Sequence, residues 1–147
     1  MDKKSGWAEK RQHERVLATL KMEYRIVTGS ESQKLLSHSN YSQTTVDQLP
    51  QLSERSSLYR AVTKDISMGG LALVTQNPLT AGMVLEVTLR LPNYNVDLKF
   101  LAETRHITTT TEIGKTLYHA GIRTLAINKA DVERIANYLN DPKNLDL

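Results

Sequence analysis

The sequence predicts a mainly β protein, a six-stranded antiparallel β-barrel followed by one C-terminal α-helix. Six short segments carry apolar alternation or a continuous apolar run. Glycine, proline and asparagine separate most of these segments, and the last of them is followed by a segment whose apolar residues have the spacing of an α-helix. With 147 residues, of which 39% are hydrophobic, the chain is long enough for one domain with a packed core.

The first predicted strand covers residues 16–27. Its residues alternate, so that Leu20, Met22 and Tyr24 share one face while Lys21 and Glu23 point to the other. Period-two alternation of this kind is typical of a strand with one buried face. The first strand is therefore expected to cover part of the core.

Residues 29–57 interrupt the strands and lose all periodicity. This stretch contains eight serines and scattered charges, a composition typical of a long loop or disordered insert, with one possible short helix at 32–36. The sequence thus predicts a flexible tail at 1–15, a barrel domain at 16–140 that carries this insert, and a C-terminal tail at 141–147.

Three strands are predicted in the middle of the chain, at 59–66, 71–75 and 84–91. The last of them alternates with Leu85, Val87, Leu89 and Leu91 on one face. Its inward face is expected to be entirely aliphatic.

The remaining strands are predicted at 96–107 and 116–127, joined by a polar connection at 108–115. In the predicted helix, Asn128 is a suitable N-cap, and Asp131 three residues later resembles the acidic residue of a capping box. A helical face follows in the sequence, and Asp141-Pro142 ends the helix; the face consists of Val132, Ile135, Ala136 and Leu139. We expect this helix to pack over an opening of the barrel.

The first cluster of polar residues with possible function stands immediately before the first strand. Arg11 and Arg15 lie four residues apart, a spacing that shares a face on a helix and on an extended chain, and Lys10 is a basic neighbour. The planar arginine fork matches phosphate oxygens and the O6 and N7 acceptors of guanine. The cluster is either a site for an anionic ligand or a solvated, charged lead-in to the strand.

The second cluster is Asp65-Ile66-Ser67-Met68-Gly69-Gly70, between two predicted strands. Asp65 and Ser67 are two residues apart near a strand end and therefore point to the same side. A carboxylate can accept from the N–H groups of a guanine edge, and glycine lets a ligand approach the backbone. The alternative is a β-turn in which both side chains satisfy local backbone groups.

Taken together, the two clusters resemble the PilZ domain family. That family pairs an Arg-x-x-x-Arg motif before the first strand with an Asp/Asn-x-Ser-x-x-Gly motif between the second and third strands. Arg11 and Arg15 match the first motif, and Asp65, Ser67 and Gly70 match the second. The turn at 78–82 and the strand around 120–123 also resemble the family, so that the likeness covers residues 10–140 apart from the insert.

The resemblance implies a PilZ-type barrel that binds cyclic di-GMP and regulates a protein partner in motility, biofilm or polysaccharide output. By analogy, Arg11 and Arg15, with Lys10 beside them, would hold phosphates and guanine faces. The pocket around one guanine would be lined by Asp65, Ser67, Gly69 and Gly70. The resemblance implies that the protein functions without a cofactor and without a metal ion.

Other classes of protein are less well supported by the sequence. The absence of cysteine removes thiolate metal sites and fits a reducing cytoplasm. No apolar run is long enough for a membrane span, and the four histidines are scattered without a catalytic spacing, so an enzyme is not expected. Two alternatives stay open: a barrel that binds single-stranded nucleic acid, although exposed aromatic residues are few, and a PilZ-like module for protein interaction.

Overall fold

The structure is a computed structural model that describes residues 16–28, 44–46, 56–92 and 97–140. Several sequence predictions lie outside these residues: the tail at 1–15 with Lys10, Arg11 and Arg15, the short helix at 32–36, and the tail at 141–147.

The described residues form eight strands and one helix. They are β1 (Val16–Leu17), β2 (Lys21–Val27), β3 (Thr44–Val46), β4 (Tyr59–Ser67), β5 (Gly70–Thr75), β6 (Val84–Arg90), β7 (Asp97–Glu112), β8 (Lys115–Asn128) and α1 (Lys129–Asn140). Antiparallel pairing runs from β4 through β2, β6, β7 and β8 to β5, and β5 pairs again with β4. This ring closes the predicted six-stranded barrel, and the fold class is confirmed.

The first predicted strand is in fact two strands, because the chain leaves the ladder between β1 and β2. The Thr63 hydroxyl occupies this break: it accepts the Leu20 N–H at 2.9 Å and donates to the Ala18 carbonyl. In β4 the pairing register with β5 shifts between Thr63 and Asp65. The extra residue Lys64 re-aims the residues after it, as a β-bulge does.

The main core lies inside the barrel and matches the predicted faces. Leu85, Val87 and Leu89 are fully buried in it, as are Leu98 and Phe100 on the neighbouring strand. A smaller buried cluster lies on the outer face, and it consists of Val27, Val84, Leu101, Leu125 and Ala126. A register shift between β7 and β8 makes Leu125 the extra residue there and turns the apolar side chains of this segment to both faces.

The prediction of a polar loop at 108–115 was wrong, because β7 continues to Glu112 and β8 begins at Lys115. Thr108 to Thr111 pair with β8, and only Ile113 and Gly114 form the turn, with φ angles of 49° and 75°. Two positive φ angles are typical of the tight hairpin turn that fits the twist of the strands. A run of threonines is polar, but its β-branched side chains favour a strand.

The region predicted as an insert contains a strand that the sequence analysis did not identify. Thr44–Val46 pairs in parallel with β8 from Ala126 to Asn128. Further along, Ser56 bonds to β2, since its hydroxyl accepts the Ile26 N–H and its own N–H donates to the Ile26 carbonyl. Three residues are too few to show a period, so the sequence could not reveal this strand.

The helix spans nearly the predicted residues, and Ile135 and Tyr138 join the main core. The predicted N-cap was wrong: the side-chain oxygen of Asn128 is buried without a hydrogen-bond partner in the described part of the chain. The buried Asp131 instead links the start of the helix to β7: its carboxylate accepts the Lys99 N–H at 3.3 Å and forms an ion pair with Arg134. No helix among the described residues is both long and apolar enough to span a membrane.

Candidate functional site

The Asp65–Gly70 motif forms the tight hairpin between β4 and β5. The Ser67 hydroxyl lies within the turn, where it accepts the Gly69 N–H and donates to the Gly70 carbonyl, both at 3.3 Å. Only 6% of Ser67 is exposed. Ser67 therefore shapes the turn, as the local interpretation of the motif required, and its contact with a ligand stays a prediction.

Gly70 is required by the close approach of β8. A Cβ atom at this position would lie 2.0 Å from the Ile122 carbonyl oxygen and 3.2 Å from the Arg123 Cα. The Thr124 N–H also donates to the Gly69 carbonyl at 2.9 Å. The absence of a side chain at Gly70 thus lets the turn pack directly against the backbone of β8.

Alternation places the motif on the outer face of the barrel. Ile66 and Leu71 are buried in the core, so alternation turns Asp65 to the outer face, and Ser67 and Gly70 lie on the same side of the hairpin, although both are buried in the turn and against β8. The same argument turns Arg123 outward, because Ile122 next to it is a core residue.

Strand pairing aligns these outward residues in two rows. Ser67 lies opposite Gly70, Gly70 opposite Arg123, and Arg123 opposite Glu103. In the neighbouring row, Asp65 lies opposite Ala72, and Ala72 opposite Gly121. Because strands are about 4.8 Å apart, the backbones of Ser67 and Arg123 are separated by roughly 10 Å.

The centre of this face carries almost no side chains. Gly70, Ala72 and Gly121 form what we call the small-residue patch; a Cβ at Gly121 would meet no atom within 4 Å, whereas at Gly70 the backbone of β8 fills that position. Asp65 and Ser67 border the patch on one side, while Arg123 and Glu103 border it on the other. The patch is open at Gly121 and bounded by groups that can bind a polar, flat ligand.

Arg123 and Glu103 form an ion pair that the sequence analysis missed. The Arg123 Nη2 lies 2.8 Å from the Glu103 Oε1, and the two side chains are 22% and 19% exposed. The Arg123 Nε and Nη1 atoms are buried and have no hydrogen-bond partner among the described residues. Only the register of β5, β7 and β8 shows that Arg123 lies beside the motif, and no sequence pattern encodes that register.

The predicted Arg-x-x-x-Arg segment leads directly to this face. Arg15 itself lies outside the described residues, but the residues that follow it pair with the motif strand. Val16 lies opposite Ile66, and Leu17 lies opposite Asp65. Strand β1 therefore brings the chain that follows Arg15 alongside Asp65.

Two open surface grooves lie elsewhere on the barrel. The first has a volume of about 580 Å³ and is lined in part by Lys21, Arg60 and Arg90. The second, lined in part by Tyr59 and Asn77, is similarly open. Neither groove includes a residue of the Asp65–Gly70 motif, and neither contains a constellation that matches a recognisable chemistry.

A sequence model of the PilZ domain matches residues 9–141 of this chain. Solved structures with a similar fold include the PilZ domain of YcgR from Escherichia coli with c-di-GMP, at 14% identity and a TM-score of 0.53, with 86% of each chain covered. The inhibitor of motility MotI/DgrA from Bacillus subtilis matches at 19% identity and a TM-score of 0.55, covering 87% of this chain and 48% of that one.

The c-di-GMP complex of MrkH from K. pneumonia matches at 18% identity and a TM-score of 0.56, covering 88% of this chain and 50% of that one. The chain thus spans about half the length of MotI/DgrA and of MrkH. No curated protein matches the sequence. At these identities the similarity to the solved structures establishes the fold.

Proposed function

The chain belongs to the PilZ domain family, and we propose that it is a bacterial receptor for cyclic di-GMP that regulates a protein partner. The observation that carries the proposal is the pairing of Leu17 with Asp65. This pairing draws the chain after the first motif to the second motif, beside the open small-residue patch. Two motifs far apart in the sequence can then contact one ligand.

The proposed roles follow from the chemistry of the ligand, which carries two phosphates and two guanines. Arg11 and Arg15, with Lys10 beside them, bind the phosphates and the guanine faces, because the guanidinium group is planar, charged and able to stack. The Asp65 carboxylate accepts from a guanine edge. Gly69 and Gly70 let the ligand approach the turn, which Ser67 holds in shape.

The proposed output is a change in the N-terminal segment. A ligand that contacts both Arg15 and Asp65 stabilises the arrangement in which the tail covers the patch, by its difference in affinity for the two arrangements. A protein partner then recognises the ordered tail together with the nucleotide. We propose a cytoplasmic, non-catalytic protein, consistent with its lack of cysteine.

Titration calorimetry with cyclic di-GMP tests the proposal, with Arg15→Ala as the main variant. Wild-type protein should bind saturably, and cyclic di-AMP and GTP should compete poorly. Arg15→Ala should weaken binding roughly tenfold to a hundredfold, because a hydrogen bond to a charged group contributes about 1.5–3 kcal/mol. Arg60→Ala is the matched control, since Arg60 is an exposed arginine on β4 that lines one of the other grooves.

Two results of the titration would contradict the proposal. Absence of heat at high micromolar ligand would exclude the receptor function and would favour a module for protein interaction. Competition between an oligonucleotide and the dinucleotide would favour binding of single-stranded nucleic acid. The described residues give this last class little support, because base stacking needs exposed rings: Tyr24, Phe100 and Tyr138 are buried there, while Tyr59 and Tyr118 are only partly exposed.

A further inference from the structure

We infer that Arg123 is a third arginine that contacts the nucleotide, from the side of the small-residue patch opposite Asp65 and Ser67, and that Glu103 positions it. The inference rests on the proposed receptor function. Arg123 belongs to neither of the two motifs.

The position of Arg123 beside the second motif supports this role. Arg123 lies directly opposite Gly70, the last residue of the second motif, and shares the outward row of Ser67. Gly70 between them has no side chain. A ligand that lies on the patch and contacts the turn at Ser67 therefore has Arg123 at its other border.

Among the described residues, the fold leaves hydrogen-bond donors of Arg123 unused. A guanidinium group carries five N–H donors in one plane. Glu103 accepts from Nη2, while Nε and Nη1 are buried without an acceptor in the described part of the chain. Buried polar groups in native proteins nearly always have partners, so these two buried donors indicate an acceptor that comes from outside the described residues.

A nucleotide carries acceptors that would satisfy these donors. The planar fork of arginine pairs two adjacent acceptors at once, as on a phosphate or on the O6 and N7 edge of guanine. Cyclic di-GMP offers both kinds of acceptor. A lysine at this position would present a point charge without the fork.

Glu103 explains how the fork is held in place. Its carboxylate binds one end of the guanidinium group at 2.8 Å from the neighbouring strand β7. This contact restricts the long arginine side chain before the ligand arrives, so less rotational freedom is lost on binding. Glu103 is a positioning residue and need not contact the ligand.

The test is calorimetric titration of cyclic di-GMP into the full chain and its variants, with the melting temperature of each variant measured in parallel. Arg123→Ala should weaken binding at least tenfold, Arg123→Lys should recover only part of the loss, and Glu103→Gln should weaken binding less than Arg123→Ala. Loss of a cation that contacts the ligand should also reduce the salt dependence of the affinity. A merely structural arginine would lower the melting temperature and leave that dependence unchanged.

Arg90→Ala is the matched control, because Arg90 also forms an ion pair, with Asp97 at 3.2 Å, and lies away from the patch. Wild-type binding that persists unchanged in Arg123→Ala would overturn the role of Arg123 while the receptor function stands. If Arg123→Ala does not fold, equal affinity and equal salt dependence in wild type and Arg123→Lys would overturn the inference instead. Absence of binding by wild-type protein would overturn the proposed function itself.

Discussion

The inner and outer faces of strands β5 and β8 serve different purposes in the same stretch of chain. On the inner face Leu71, Leu73 and Ile122 are at most 4% exposed and pack into the core. On the outer face, the residues between them are Gly70, Ala72 and Gly121. Large side chains on the inner face therefore stabilise the barrel, whereas small residues on the outer face leave room for a ligand.

The largest expected effect is on the inner face. Leu73→Ala should lower the free energy of unfolding by about 2–5 kcal/mol, because it removes buried methyl groups and leaves a cavity. Urea unfolding measures this loss, and Val62→Ala is the control, since Val62 is 41% exposed and should change stability by about 0.5 kcal/mol or less. Equal losses in the two variants would contradict the division between the faces.

On the outer face we expect a smaller effect, and we expect it on the free energy of ligand binding and not on the free energy of unfolding. Gly121→Val places a side chain over the small-residue patch, where a Cβ meets no atom within 4 Å. Stability should change by about 0.5 kcal/mol or less, whereas affinity for cyclic di-GMP should fall roughly tenfold. Calorimetry and thermal unfolding of the same samples separate the two effects, with Thr88→Val on β6 as the control. Unchanged affinity would show that the ligand does not lie on the patch.

The smallest effect concerns a phenol on the helix that packs into the same core as the inner face. Burial raises the pKa of Tyr138 on α1 above its ordinary value. The folded state therefore keeps this proton at a pH where the unfolded chain releases it, so the stabilisation is complete below about pH 10 and is lost as pH rises above it. Urea unfolding between pH 8 and 11 should show a weaker alkaline loss in Tyr138→Phe. An identical loss in both proteins would assign it to other groups.

Local sequence patterns were sufficient for most of the barrel. Alternation identified the buried face of β6, since Leu85, Val87 and Leu89 lie in the core. The glycine-containing turn at 67–70 and the helical spacing of α1 were also visible in the sequence, because turn chemistry and side-chain period depend on neighbouring residues.

The same local patterns failed where a contact from elsewhere in the chain decided the structure. The Thr63 hydroxyl lies in the break between β1 and β2 and divides what reads as one strand. Pairing with β8 lets the polar run Thr108 to Thr111 continue as a strand. Asp131 binds the Lys99 N–H of β7, while the expected cap Asn128 finds no partner in the described chain.

By itself the sequence determined the class of fold, the two motifs and the family they resemble, because these depend on residue types and on their short-range spacing. Only the tertiary structure decided that Ser67, Gly70, Arg123 and Glu103 share one row, because that row depends on the registers of four strands. A shift of one residue in any register would turn a strand's side chains to the other face. Residues far apart in the sequence set these registers through core packing and β-bulges, and no local pattern records them.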